Sequence, residues 1–571
     1  MRDWCRQRPG LAVALTLAVV SAGSGESGSP LRWGVDDAGL EAGAYGRARV
    51  GAIAEEFDFD LWVVHYHPPG TDSTTTVKEN VRLIQEIDAW CGARNVQWIA
   101  NLEHANGTAT LTDERCRDWY NRADGRHHFL FPDEVMRILG AADHLAGVMY
   151  DEPAHTQNER HRSLGGALPF LYSPDLADGP AAGADGFYEA AANLAAVHQA
   201  AGIGVYTEHV FPILFHSFAR AGFTAVPKVL KDGWSPVFLA AAMGAALQYE
   251  TEFWVSPDLW GMKGFPGHSV DEYRSALLLS YGLGAEGIYT ENLALDPGGE
   301  GSGGLVRLVD GGYELTDYGR AARRFRSETV PAHPRGYSVR NVRPRVVIVR
   351  RPDSDWGQAR SWMSDALFGA PQWHSTKSTR AWNGLWHLLS RGVVNRSSPS
   401  WHHKAYARRE YQVFCPLEGV VVFDDRVQAR LLASAELIVL TGLGVSPRTL
   451  RAVEDRVAAG ATCVALPHLV PQRIHQALGQ GGELSDGAGR WVVGKDFMDR
   501  RVRPHIERFA PPENRIRYRF GDSIVTLRPV DGDPNRLALD ISPISAAPAK
   551  AQGAGGDSGG GFRALGSPAP G

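Results

Sequence analysis

Cysteine is scarce in this sequence. Five residues, Cys5, Cys91, Cys116, Cys415 and Cys463, are scattered over 571 positions, and no two of them form a CxxC pair. That argues against zinc ribbons and thioredoxin-type redox sites. The cysteines read as one Cys91–Cys116 bridge or as buried free thiols. Charge of one sign is also lacking: the formal net charge is −5, which gives no reason to expect a nucleic-acid partner. There is no GxGxxG turn and no P-loop, so nucleotide binding has no support. Outside the N-terminal leader, no apolar run is long enough to span a bilayer, and no membrane partner is expected.

Tryptophan, by contrast, is abundant, at sixteen residues. Aromatic faces stack on the C–H surfaces of sugars, which points mildly toward a carbohydrate ligand. Most tryptophans in any globular chain nevertheless serve the core. The N-terminus reads as a secretory signal, so a secreted or periplasmic location is expected. Arg2, Arg6 and Arg8 precede a short apolar run from Leu11 to Val20, and Val20-Ser21-Ala22 offers small residues for cleavage. The alternative is a start codon placed too far upstream.

The chain is too long for one core, since single cores stop growing near about 250–300 residues. Within a barrel domain spanning residues 31–330, residues 31 to about 295 repeat one theme, an apolar strand ending in polar residues and followed by a helical stretch. The strands begin at Leu31, Asp60, Val96, Ala146, Gly202, Ala225, Phe253 and Gly287. Eight β/α units of this kind predict a closed (β/α)₈ TIM barrel. Residues 293–312 read as a Gly-rich loop, and Thr316 or Asp317 as the cap of the next helix. Residues 340–475 alternate strands and helices again and predict a smaller, doubly wound, flavodoxin-like α/β domain. Residues 485–541, from about Trp491 onward, are strand-like and polar and predict a short β-rich appendage. Residues 1–30 form the leader and linker. Residues 546–571, composed of Gly, Ala, Ser and Pro, predict a disordered tail.

Barrel enzymes place their chemistry at the C-terminal ends of the strands. Here those ends carry Asp36, His65, His67, Glu103, Asp151, Glu152, Glu208, His209, Asp258, Glu291 and Asn292. Cleaving a glycosidic bond needs two carboxyl groups, one to protonate the leaving oxygen and one to attack the anomeric carbon or activate water. Glu152 is the first choice for the acid. It ends strand four in Val148-Met149-Tyr150-Asp151-Glu152-Pro153, next to a second acid and before a proline that stops the strand. The second carboxylate is Glu291 or Asp258, with Glu291 slightly favoured for its clean apolar lead-in. Asp36, His65, Tyr66, His67, Glu103, Asp151, Glu208, His209, Trp234, Trp260 and Asn292 are candidate substrate contacts.

This layout resembles clan A glycoside hydrolases, in particular β-galactosidase-type enzymes whose barrel is followed by a flavodoxin-like trimerization domain. The resemblance covers roughly residues 31–470. It implies an acid/base glutamate after strand four, which Glu152 matches with Asp151 in place of the usual Asn. It implies a nucleophilic glutamate after strand seven, where this chain has Asp258. It further implies a carbohydrate substrate, hydrolysis with retention, no cofactor, and a homo-oligomer, trimer or dimer. Two other readings stay open. His65, His67, Glu103, His104, Asp151, Glu208 and His209 offer nitrogen and oxygen donors for a metal-dependent sugar isomerase or hydrolase. A degenerate barrel that binds carbohydrate without cleaving it would account for the aspartate after strand seven.

Overall fold

The computed structural model describes residues 31–37, 47–69, 73–103, 130–154, 156–158, 171–172, 175–231, 233–261, 267–294, 303–352, 367–370, 372–373, 377–396 and 413–544. The leader, Cys116, His104 and the C-terminal tail lie outside these residues. Cys91, Cys415 and Cys463 are buried free thiols.

Eight parallel strands close into a barrel in chain order: β1 (Arg32–Asp36), β2 (Leu61–His65), β3 (Gln97–Asn101), β4 (Leu145–Asp151), β5 (Val205–His209), β6 (Thr224–Val229), β7 (Trp254–Pro257) and β8 (Gly287–Thr290). β1 pairs with β8 through Arg32↔Gly287 to Val35↔Thr290, which seals the ring. Side chains alternate across a strand, and the interior is filled by Leu61, Val63, Ile99, Met149, Tyr206, Val226, Trp254 and Tyr289. The lumen is therefore a packed core, as barrels of this size require.

The helix Val270–Gly282 starts at a capping box: Ser269 accepts from the Glu272 amide, and Glu272 returns the bond to the Ser269 amide. Thr316 caps the helix Asp317–Arg324 by accepting from the Gly319 amide. The segment read as a loop contains strand, because β9 (Val306–Val309) and β10 (Gly312–Leu315) form an antiparallel hairpin.

A second, six-stranded sheet contains β11 (Val346–Arg350), β13 (Val420–Phe423), β14 (Leu437–Thr441), β15 (Thr462–Ala465), β16 (Gly482–Asp486) and β17 (Gly489–Val493) in the order β13-β11-β14-β15-β17-β16. Along the chain its five parallel strands run 2-1-3-4-5, the order of a doubly wound sheet. Only β16 runs antiparallel, against β17. Trp491 thus belongs to this sheet and not to the C-terminal appendage. The appendage is a four-stranded sheet of β12 (Leu417–Glu418), β18 (Ile516–Phe520), β19 (Ser523–Val530) and β20 (Asp533–Pro543). It packs on the barrel helix Val270–Gly282, where the Ser275 hydroxyl donates to the Asn535 carbonyl at 2.8 Å and accepts from the Leu537 amide at 2.9 Å.

The barrel also holds the free edge of β13. The helix Ser235–Tyr249 is buried on every side except at its last residue, which explains why its sequence has no polar face. Gly244 lies so close to β13 that a Cβ there would sit 1.5 Å from the Val422 carbonyl oxygen. That same oxygen is 3.0 Å from His216 Nε2. Asp424, just past β13, donates its amide to Gln248 Oε1 at 3.0 Å and accepts from the Tyr249 hydroxyl through its side chain.

Candidate active site

On six strands, the residue two positions beyond an apolar lumen residue is a histidine, an amide, a lysine or an acid, and on β7 Ser256 follows Trp254 in the same way. Val63 is followed by His65, Ile99 by Asn101, Met149 by Asp151, Tyr206 by Glu208, Val226 by Lys228, and Tyr289 by Glu291. The period of two that packs the lumen therefore aims these groups at the mouth. β1 adds Asp36, and the residue after β7 is Asp258. The strand-end backbones continue the ladder: the Glu152 amide donates to the Glu208 carbonyl at 2.9 Å, and the Glu291 amide to the Pro257 carbonyl at 3.1 Å. Asp258 and Glu291 are bridge partners.

Lys228 stands at the centre, with 1% of its side chain exposed. Its Nζ lies 2.8 Å from Glu291, 3.0 Å from Asp151, 3.6 Å from Glu152 and 3.8 Å from Glu208. Lys231 Nζ lies 2.8 Å from Asp258 Oδ2 and 3.4 Å from Glu152 Oε1. On the other side of the ring, His65 Nε2 is 2.8 Å from Asp36, and Nδ1 is 3.5 Å from Glu103. The Asn101 amide nitrogen links the two groups, at 3.3 Å from Asp36 and 3.4 Å from Asp151. Laying the two lysine distances end to end bounds the gap between carboxyl oxygens: about 6.2 Å for Glu152 to Asp258 through Lys231, and about 6.4 Å for Glu152 to Glu291 through Lys228.

The backbone at Glu152 is left-handed, with φ 46°. An extended residue after Asp151 would turn its side chain away from the lumen, and this conformation returns the Glu152 carboxyl to the mouth. Such strain persists where the surroundings fix it, and it collects at functional sites. Glu152 keeps 19% of its side chain exposed, against 6% for Glu291 and none for Asp258.

Among the described residues, Asp36, Glu103, Asp151, Glu152, Glu208, Asp258 and Glu291 outnumber Lys228, Lys231 and His65, so the ring cannot ionise fully in a buried setting. Burial pushes Asp151 up to about 7, against the pull of Lys228. Burial also holds Glu208 well above the usual carboxylate range, and burial together with Asp258 does the same for Glu291. Burial alone would raise Asp258 too, but Lys231 and then Lys228 outweigh it and hold Asp258 below its ordinary value. Burial disfavours the charged forms of Lys228 and His65. The four carboxyls around Lys228 and the Asp36 carboxylate beside His65 more than compensate, and both groups are raised well above their ordinary values. Two adjacent carboxyls, Asp258 and Glu291, are thus driven in opposite directions.

Several expected contacts stand elsewhere. His209 shares its strand face with Thr207, whose hydroxyl lies 2.8 Å from His209 Nε2, and its ring packs on Phe215 and Phe218. It faces the helical layer because Glu208 takes the inward position, and burial pushes it down to about 3. Tyr66 is 1% exposed, donates to Asn80 Oδ1 at 2.8 Å and packs edge-on against Phe131, so it offers no face for stacking. Trp234 is buried at 6% exposure and leads into the helix Ser235–Tyr249. His67 is exposed in the loop after β2, and Asn292 is buried with a left-handed backbone. Trp260 is at the mouth, but Lys231 Nζ already lies 4.5 Å from its ring centre.

Sequence reading missed Lys228 and Asn101 and gave Lys231 no role. The signal was a charged residue inside the otherwise apolar run Ala225-Val226-Pro227-Lys228-Val229. A charge inside a barrel strand must find partners in the lumen.

His65, Glu103 and Asp151 present donor atoms that all lie within 4.8 Å of one another, close enough to share a metal ion. Asp151 is already paired with Lys228, whereas His65 meets Asp36 through Nε2 and turns Nδ1 toward Glu103.

No protein-family model matches the sequence, and no curated protein is similar to it in sequence. Solved structures do match. A polyextremophilic β-galactosidase from Halorubrum lacusprofundi superposes with a TM-score of 0.55 at 12% identity, over 90% of this chain and 99% of that one. A β-galactosidase from Bacillus circulans sp. alkalophilus gives 0.53 at 10% identity, over 87% and 92%. One from the psychrophilic Marinomonas ef1 gives 0.51 at 10%, over 87% and 95%. The chain has their fold. The likeness covers 87–90% of this chain and so takes in the second sheet as well as the barrel.

Proposed function

We propose that the chain hydrolyses glycosidic bonds in a carbohydrate substrate, with Glu152 as acid/base and Asp258 as the second carboxylate. The observation that carries this is the gap of at most about 6.2 Å between Glu152 and Asp258. That bound is compatible with the ~5–5.5 Å of a retaining pair. Asp258 is preferred to Glu291 because it is the member held ionised, as a nucleophile requires. Glu152 is the more accessible partner. The leader sequence supports action outside the cytoplasm.

A second reading, carbohydrate binding without cleavage, is favoured by the two ammonium groups that already neutralise the mouth carboxyls. One experiment separates the two. The protein is assayed on aryl glycosides differing in their sugar, and the configuration of the released sugar is followed by NMR. Cleavage with retention is expected, and Glu152→Gln should lower kcat/KM by about 10²–10⁴-fold, with Asp258→Asn at least as damaging. If both variants hydrolyse like the parent, or the parent binds sugars and cleaves none, the catalytic reading is lost.

A further inference from the structure

We propose that Lys231 is a positioning residue for this reaction: its ammonium bridges Asp258 and Glu152, gives Asp258 its counter-ion and fixes the gap between the two carboxyls. This rests on the catalytic reading above. Lys228 and Lys231 are three residues apart on one strand and its exit, so continued alternation would point them to opposite faces. Leu230, between them, has a left-handed backbone with φ 76°. That turn brings Lys231 back over the mouth beside Lys228. Trp260 completes the clamp. Its ring lies 4.5 Å from the Lys231 ammonium, and its backbone amide donates to Asp258 Oδ1 at 2.7 Å. One oxygen of Asp258 is therefore fixed by Trp260 and the other by Lys231, while Lys231 reaches Glu152 at 3.4 Å.

The two lysines divide the work. Lys228 serves four carboxyls from the ends of β4, β5 and β8 and is sealed at 1% exposure. Lys231 keeps 10% of its side chain exposed and stands between the two proposed catalytic groups. The charged groups facing Asp258 are Lys231 and Lys228 from the β6 side, Glu291 from β8 and Glu152 from β4. Lys231 is the strongest of the influences that keep Asp258 ionised.

The test uses full-length Lys231→Met and Lys231→Arg, read by the pH dependence of kcat/KM and by crystal structures. In Lys231→Met the acid limb should move up by about one pH unit or more, because an opposite charge close to a carboxylate shifts it by that much. Lys231→Arg should restore the limb. The crystal structure of Lys231→Met should show the Asp258 carboxyl turned away from the Trp260 amide. An unchanged acid limb in Lys231→Met, with Asp258→Asn inactive, overturns this role and leaves the catalytic reading standing. An active Asp258→Asn variant overturns the catalytic reading instead. An Asp258–Trp260 contact and a carboxyl gap unchanged in Lys231→Met overturn the positioning role whether or not the enzyme turns over.

Discussion

An ammonium with 1% of its side chain exposed persists only if its partners outweigh the water it has lost, and Lys228 has four carboxyls with which to do so. Replacing it by methionine removes the cation that all four share. Lys228→Met should lose about 3–5 kcal/mol at neutral pH, the usual result of stranding one half of a buried pair. The carboxyls left behind would sit still further above their unfolded values, so they would cost stability as pH climbs from those values. Denaturant unfolding should therefore show a smaller deficit near pH 4.5 than at pH 7.5, and equal deficits at both would refute the assignment. At this scale the sequence was legible wherever an acid ended an apolar run, as at Asp36, Asp151, Glu152, Glu208, Asp258 and Glu291. It was not legible for Lys228, whose partners lie on other strands. It misled at His209, because moving a strand boundary by one residue exchanges the lumen for the helical layer.

The elements were legible to different degrees for a physical reason. In the helix Ser235–Tyr249, Pro236 marks the first turn in the sequence, whereas the left-handed turn at Glu250 that ends it carries no such mark. β17 fell within the segment read as the appendage, because its polar edge hairpin with β16 carries no mark of the sheet it joins. β12, two residues long, pairs with β18 nearly a hundred positions away, and no local pattern announces such a contact. Where the helix meets β13, contact is set by the absence of a side chain. Gly244→Ala would drive a methyl into the Val422 carbonyl oxygen, and because the clash is with backbone no rotamer relieves it. Overpacking usually costs 1–3 kcal/mol, and this substitution should reach about 3 kcal/mol or more. Chemical denaturation would show it, with the six-stranded sheet loosening from the barrel. A variant as stable as the parent would mean that the helix does not bear on β13.

For the whole molecule, the mouth sets how stability follows pH. Asp151, raised to about 7, and Glu208 and Glu291, raised well above their ordinary values, hold protons in the fold that the unfolded chain releases. Their contribution falls as pH rises from their unfolded values. His65, also raised, stabilises below its unfolded value and loses that effect as pH rises through its folded one. Asp258, lowered, acts in the opposite sense: its contribution is present above its unfolded value and is lost as pH falls through the folded one. Together these place the highest thermal midpoint between about pH 4 and 6. A midpoint that climbs steadily toward pH 8 would show that the ring is ionised throughout.

The close seat of β13 on the barrel helix has a consequence for how the chain is made. The barrel lies first in the sequence and leaves the ribosome before the second sheet. When β13 emerges, the surface that will cover its exposed edge is already finished, with the Gly244 notch and the His216 imidazole in place. One edge of the sheet is then capped as it appears, so vectorial synthesis should protect that edge from pairing with a neighbouring chain, and refolding from denaturant, where both halves collapse together, should give more aggregate.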